Sequence, residues 1–194
     1  TAKTAKHGPR LISHLAKPFT AKEMITIGDL QVTPFFKYHD ASDPHSFVIN
    51  CNGISIGVLT DIGTVCEEVI HHFKQCHAVF LEANYDATML ENGKYPIHLK
   101  NRIRGGHGHL SNKEALDLFI THRSPNLSHL LLSHLSKENN SPEMVEALFK
   151  QYANGITIAI AYRHRATEIF SISQGTNNHA ISKVSSSLQL GLFE

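Results

Sequence analysis

Four short segments of the chain carry residues whose types and order could hold a metal ion. His39-Asp40-Ala41-Ser42-Asp43-Pro44 follows an apolar run, and Thr60-Asp61-Ile62-Gly63 ends another. Gly108-His109-Leu110-Ser111-Asn112 leads into a capped segment, and Leu132-Ser133-His134-Leu135-Ser136 closes a third apolar run. Imidazoles and a carboxylate from separate strand ends suit Zn²⁺, Mn²⁺ or Fe²⁺. A carboxylate can bridge two ions, and two ions about 3.5–4 Å apart clamp the attacking and leaving oxygens of a displacement at phosphorus. Plainer readings stand beside this one. A strand ending in Asp or His can be turn chemistry. His39 and His134 can be core histidines, Asp61 a carboxylate at a helix N-terminus, and His109 the residue before a helix cap. The chain has 15 histidines, most of them expected on the surface or at helix ends.

The elements that must position these residues are legible from periodicity and turn residues. Leu30, Val32 and Pro34 alternate with polar residues and lead into Phe35-Phe36, which reads as a strand. Ser46 to Cys51 and Ile54 to Thr60 flank Asn52-Gly53, the strongest short hairpin signal. A helix follows, with Thr64 and Glu67 read as a capping box and Val65, Val69, Ile70 and Phe73 on one face. Ala78 to Leu81 is a short buried strand running into Glu82-Ala83-Asn84. Residues 86–91 and 96–104 read as short helices, and Gly105, Gly106 and Gly108 break the chain. Ser111 and Glu114 form a second capping box, with Ala115, Leu118 and Phe119 inward. Leu127 to Leu132 is a strand. Ser141 caps a helix with Pro142 at its first position, and Met144, Val145, Leu148 and Phe149 face its core. Residues 156–160 and 167–172 read as strands. The Ser- and Asn-rich tail from Gly175 reads as surface, with Leu190, Leu192 and Phe193 docking at its end. Alternating strands and helices with a tight hairpin give an α/β layered fold and a mixed sheet. Asp61, Glu82 and His134 fall just past or at strand ends, the edge where sites form in such folds.

Several stretches in order resemble the metallo-β-lactamase superfamily, and within it the YycJ/WalJ-type subgroup of exonuclease-like proteins. They are His39–Pro44, TDIG at 60–63, LEANYD at 81–86, ML at 89–90 with YPIHLKNRI at 95–103, GHLSN at 108–112 and LSHLSKENN at 132–140. The resemblance runs from about Asp29 onward. It implies an α/β fold of the metallo-β-lactamase αββα sandwich type. It implies a metal-dependent hydrolase, a phosphodiesterase or nuclease acting on DNA or RNA, with two divalent ions (Zn or Mn, or Fe) as cofactors. By the same resemblance His39 is a ligand to one ion, Asp61 bridges both and His134 is a ligand to the other. His109 helps protonate the leaving group and Glu82 orients it. Such relatives read Asn-His-Asp where this chain has Asn84-Tyr85-Asp86.

The superfamily's first metal motif, His-x-His-x-Asp-His, does not occur in this sequence; His7 and His14 stand alone, and His71-His72 lie in a predicted helix. The expectation is therefore a single domain over 1–194, N-terminally incomplete, that is the C-terminal part of a longer protein. With two protein ligands for each ion, against the three usual at catalytic zinc, the metal site in this chain is expected to be incomplete and open on one side. His39, Asp61 and His134 are expected to converge, with His109 at the rim, in reach of a phosphate but not of the ions.

Composition narrows the classes. No apolar run is long enough to span a bilayer. Cys51, Cys66 and Cys76 form no CxxC pair and read as structural, with the cytosol as the default compartment. A net charge of +1 leaves any polyanion site to a local patch, and the candidates are Lys94, Lys100, Arg102 and Arg104. Lys100, Arg102 and Asn112 are the candidate substrate-binding residues, with nucleic acid the partner. The alternatives are a small-molecule hydrolase, acting on a thioester or lactone, and a non-catalytic interaction domain on the same fold.

Overall fold

The computed structural model describes residues 17–173. The residues 1–16 and the tail from 174, including Leu190, Leu192 and Phe193, lie outside the described residues. Among the described residues one seven-stranded sheet runs in sequence order, β1 (Ile25–Ile27), β2 (Leu30–Phe36), β3 (His45–Cys51), β4 (Ile54–Leu59), β5 (Ala78–Glu82), β6 (His129–Ser133) and β7 (Thr157–Ile160). Strands β1 to β4 form an antiparallel meander, and β4 to β7 pair in parallel. The parallel half needs crossovers. These carry α1 (Glu67–Phe73), α2 (Ala87–Asn92), α3 (Ile97–Arg104), α4 (Asn112–His122) and α5 (Pro142–Lys150). Helix α1 packs on β2, β4 and α4, and α5 on β7.

Register across the parallel half sets the height of the site. Leu59, Leu81, Leu132 and Ile160 align in one row across β4 to β7 and are all buried. Gly57, Val79, Leu130 and Ile158 form the next row on that face, two residues back along each strand, as a pleat of period two requires. Gly57 is small there because a Cβ would meet Cys76 Sγ at 3.0 Å. With the leucine row level, Asp61, Glu82 and His134 leave the sheet at one edge.

Most expected elements form. Asn52 and Gly53 both have positive φ, 49° and 77°, as the hairpin requires. The Ser111/Glu114 capping box is complete, and Ser141 caps α5 through Met144 N with Pro142 in its first turn. Four details differ. The Thr64/Glu67 box is absent: Cys66 is the N-cap residue of α1 and Thr64 bridges to Tyr38 instead, drawn there by backbone pairing. Met144 is exposed, because α5 buries only the Val145 and Phe149 stripe. Residues 167–172 form no strand; Ile169 is 96% exposed. Strand β1, in a stretch without clear periodicity, pairs with β2 through a turn at Gly28, φ 58°.

Candidate metal centre

Asp61 and His134 end their strands in the same way. Both have left-handed backbone, φ 54° and 57°, a region uncommon for residues other than glycine and one that recurs at functional sites. The turn after β4 is held from both sides. Lys37, itself buried, donates from Nζ to Thr60 O, and Gly63 N donates to Tyr38 O. Gly63 also admits the glycine loop before His109: a Cβ there would fall 2.4 Å from Gly106 O and 2.5 Å from His107 Cα. Gly108 is equally crowded, against Ile103 O and Arg102 O. Glycine at both positions lets the loop carrying His109 close on the turn carrying Asp61.

Three imidazoles gather on the Asp61 carboxylate. Asp61 Oδ1 lies 3.7 Å from His39 Nε2, 3.4 Å from His134 Nε2 and 4.0 Å from His109 Nδ1. The His109 ring stands between the other two, 5.1 Å from each by ring centroids. Hydrogen bonding assigns the tautomers. His39 Nδ1 donates to Gly108 O, 2.9 Å away, since a carbonyl can only accept. His109 Nδ1 and His134 Nδ1 both donate to Glu82 Oε1 at 2.7 Å. Each ring thereby keeps Nε2 clear of its anchoring bond and available to a ligand, the usual arrangement behind metal-bound histidine. Glu82 is fully buried (0% exposed), and its Oε2 accepts from Ile62 N.

These contacts set the protonation states. Burial by itself disfavours the Glu82 carboxylate, but donation from His109 and His134 and from Ile62 N outweighs it and holds the carboxyl below its ordinary range. The hydrogen bond to Glu82 raises the His134 imidazole. Burial lowers the Lys37 ammonium, with Asp61 and Glu82 partly offsetting it. The Arg102 guanidinium beside Asp40 holds that carboxyl down.

Asp61, Glu82, His109 and His134 offer donor atoms that all lie within 4.8 Å of one another. Their chemistry fits a divalent ion of the zinc or manganese kind. Both Glu82 oxygens are engaged by donors, so Glu82 fits as the group that orients the rings rather than as a ligand. His109 is inside this cluster and not at its rim, as the sequence led one to expect, because one Glu82 oxygen draws both its ring and that of His134.

The candidate substrate residues separate. Arg102 lines a cleft of about 500 Å³ with Asp40, Asn84, Tyr95, His109 and His134. Arg102 Nε also pairs with Asp40 Oδ2 at 2.5 Å, and Arg104 pairs with Glu91. Lys100 turns away, donating to Glu91 O. Asn112 is 3% exposed and its amide is engaged by Asn140, so it belongs to the interior and not to a substrate surface. Asn140 itself donates to Ala83 O, Asn84 O and Asn112 Oδ1, tying the loop after β5 to the approach of α5. Asn84 in turn donates from Nδ2 to His134 O. Sequence reasoning missed Lys37, Asn84, Asn140 and the second bond of Glu82. The available signal was weak: a carboxylate ending an apolar strand, and Asn pairs flanking capped helices.

No protein-family profile matches the chain. It is similar to the exodeoxyribonuclease YycJ of Bacillus anthracis, 31% identical over 133 residues that make up 69% of this chain and 50% of that protein. It is also similar to the exodeoxyribonuclease WalJ of Streptococcus pneumoniae, 34% identical over 119 residues, 61% of this chain and 44% of that one. The chain thus spans about half the length of the curated relatives it matches. Among solved structures, the metallo-β-lactamase fold protein YhfI of Bacillus subtilis superposes with a TM-score of 0.53 at 16% identity, over 74% of this chain and 51% of that one. Zn²⁺-bound PqqB of Methylobacterium extorquens superposes with a TM-score of 0.53 at 17% identity, over 74% and 53%. Sequence and fold point the same way: the chain has the metallo-β-lactamase fold, and its sequence is similar to those of the YycJ and WalJ exodeoxyribonucleases.

Proposed function

We propose that this chain forms part of a divalent-metal hydrolase centre that cleaves phosphodiester bonds of nucleic acid. The observation that carries it is the convergence of the His39, His109 and His134 rings on the single Asp61 carboxylate, with two of the rings anchored on buried Glu82. The exodeoxyribonuclease names of the two curated relatives support the choice of nucleic acid over a thioester or lactone.

In this reading His39, Asp61 and His134 would hold the metal, with Asp61 able to face two ions. A bound divalent ion supplies Lewis acidity at an oxygen on phosphorus. Glu82 keeps the Nδ1 protons of His109 and His134 in place, which leaves Nε2 of each ring free of that bond. His109, oriented by its Nδ1 bond to Glu82, would deliver a proton from Nε2 to the leaving oxygen. His109 is also near enough to Asp61 and His134 to serve as a ligand, and the two roles differ in their effect on metal content.

The test uses the full protein with Mn²⁺ or Zn²⁺, end-labelled DNA and RNA, and a thioester and a lactone as controls. Metal-dependent cleavage of a nucleic acid is expected. Turnover of only the thioester or lactone gives the small-molecule reading, and no turnover of any substrate gives the non-catalytic one. His109→Ala that loses cleavage but keeps its metal identifies the acid role.

A further inference from the structure

The basic segment near α3 is largely neutralised from within: Arg102 by Asp40, Arg104 by Glu91, with Lys100 turned to a backbone carbonyl. A second basic cluster lies on the other side of His134. A groove of about 600 Å³ opens there between the segment after β6 and the segment after β7. Its floor is apolar, from Leu135, Pro142, Ile160 and Tyr162, and its basic members are Lys137, Arg163, His164 and Arg165. Among the described residues, none of those lining it is acidic. Among the described residues Lys137, Arg163 and Arg165 make no ion pair; Arg165 helps to hold the Glu143 carboxyl low, and that carboxylate already accepts from Ser141.

Geometry gives the cluster a second property. The Arg165 guanidinium lies 3.7 Å over the Tyr162 ring, and Tyr162 packs against the core. A planar cation backed by a fixed ring is a surface on which a base can stack. Arg163 Nη2 donates to Leu135 O, which fixes that arm at the boundary with the catalytic cleft. The groove is continuous with that cleft, since His134, Leu135, Ser136, Lys137, Arg163 and His164 line both.

We propose that this groove is a binding track for a single-stranded nucleic-acid segment leading to the Asp61–His134 centre. Phosphates contact Lys137 and Arg163, and a base stacks on the Arg165–Tyr162 pair. A single strand is the occupant because stacking needs a base free of its partner, while an apolar floor rimmed by cations is the recurring form of such sites. The assignment rests on the nuclease reading for its direction toward the metal centre, but binding itself needs no chemistry.

The experiment therefore measures binding in EDTA, on the full protein, by fluorescence anisotropy of a labelled oligothymidylate of about 12 nucleotides. Arg165→Glu, which removes the stacking surface over Tyr162, is expected to weaken binding about tenfold. Lys113→Glu, a charge reversal on α4, is expected to stay within about twofold. An oligonucleotide bearing 5-iodouracil is expected to photocrosslink to Tyr162. Equal affinity of wild type and Arg165→Glu, crosslinks only outside residues 134–165, or no binding by wild type would overturn the track. Polyglutamate competing as well as the oligonucleotide at equal charge would assign the groove to acidic peptides and also overturn it. Binding lost at Arg165 with no cleavage by wild type sinks the nuclease reading and leaves the track. Cleavage with binding unchanged at Arg165 does the reverse.

Discussion

Asp61 Oδ1 lies 3.4 Å from His134 Nε2 although their strands, β4 and β6, are not neighbours; β5 runs between them. The gap is bridged because both residues leave their strands in the left-handed region, at the same level of the sheet. Asparagine tolerates that backbone better than most residues. Asp61→Asn is therefore expected to keep the fold, with a melting temperature within a few degrees of wild type. It should lose about 100-fold in metal affinity, measured by metal content after dialysis, because the carboxylate that all three rings face is gone. Unchanged metal content would remove Asp61 from the centre.

Glu82 is buried with three donors on its two oxygens. Glu82→Gln replaces one acceptor by an NH₂ group that faces N–H donors. Stability is expected to drop by about 1.5–3 kcal/mol in urea unfolding, the range for hydrogen bonds to a charged group. Metal affinity should fall roughly 10–100-fold, as when an orienting partner is lost. A fully stable variant with normal metal content would show that Glu82 does not orient His109 and His134.

The same pair gives the metal-free chain a pH signature. The Glu82 carboxyl is held below its ordinary 4.5, so its contribution is present above that value and is lost as pH falls through the lowered pKa. The His134 imidazole is raised above its ordinary 6.5, so its contribution is complete below 6.5 and is lost as pH rises through the raised pKa. The pair therefore stabilises most between about pH 4.5 and 6.5. Urea midpoints of the metal-free protein should decline as pH rises above 6.5, and the decline should flatten in His134→Ala. An identical slope in that variant would refute the coupling.

Asn140 is 7% exposed and donates to Ala83 O, Asn84 O and Asn112 Oδ1. Asn140→Ala leaves buried acceptors without a donor, and each unsatisfied group costs about 1–3 kcal/mol. A loss of roughly 2–4 kcal/mol is expected, with Asn140→Asp recovering little because it accepts where a donor is needed. A variant as stable as wild type would mean that water replaces the amide.

The turns and strand ends that carry the candidate residues were legible in the sequence because their signals are local. Asn52-Gly53 demands a hairpin, Ser111 with Glu114 demands a helix start, and a strand that ends in Asp61 or His134 marks an edge. The order of these segments carried the resemblance, and the comparison with YycJ and WalJ agrees with it. Three features were decided only in three dimensions. Whether Thr64 caps a helix depends on its pairing with Tyr38, a contact between residues far apart in the chain. Whether Asn112 meets substrate depends on Asn140, which engages it in the interior. Whether α3 offers a basic patch depends on Asp40 and Glu91, which neutralise two of its arginines and leave the unpaired cations near His134, at Lys137, Arg163 and Arg165. Composition counts charges and periodicity assigns faces, but neither says which charges meet. That is set by the register of β4 to β7, where the level row of Leu59, Leu81 and Leu132 brings distant turns to one edge.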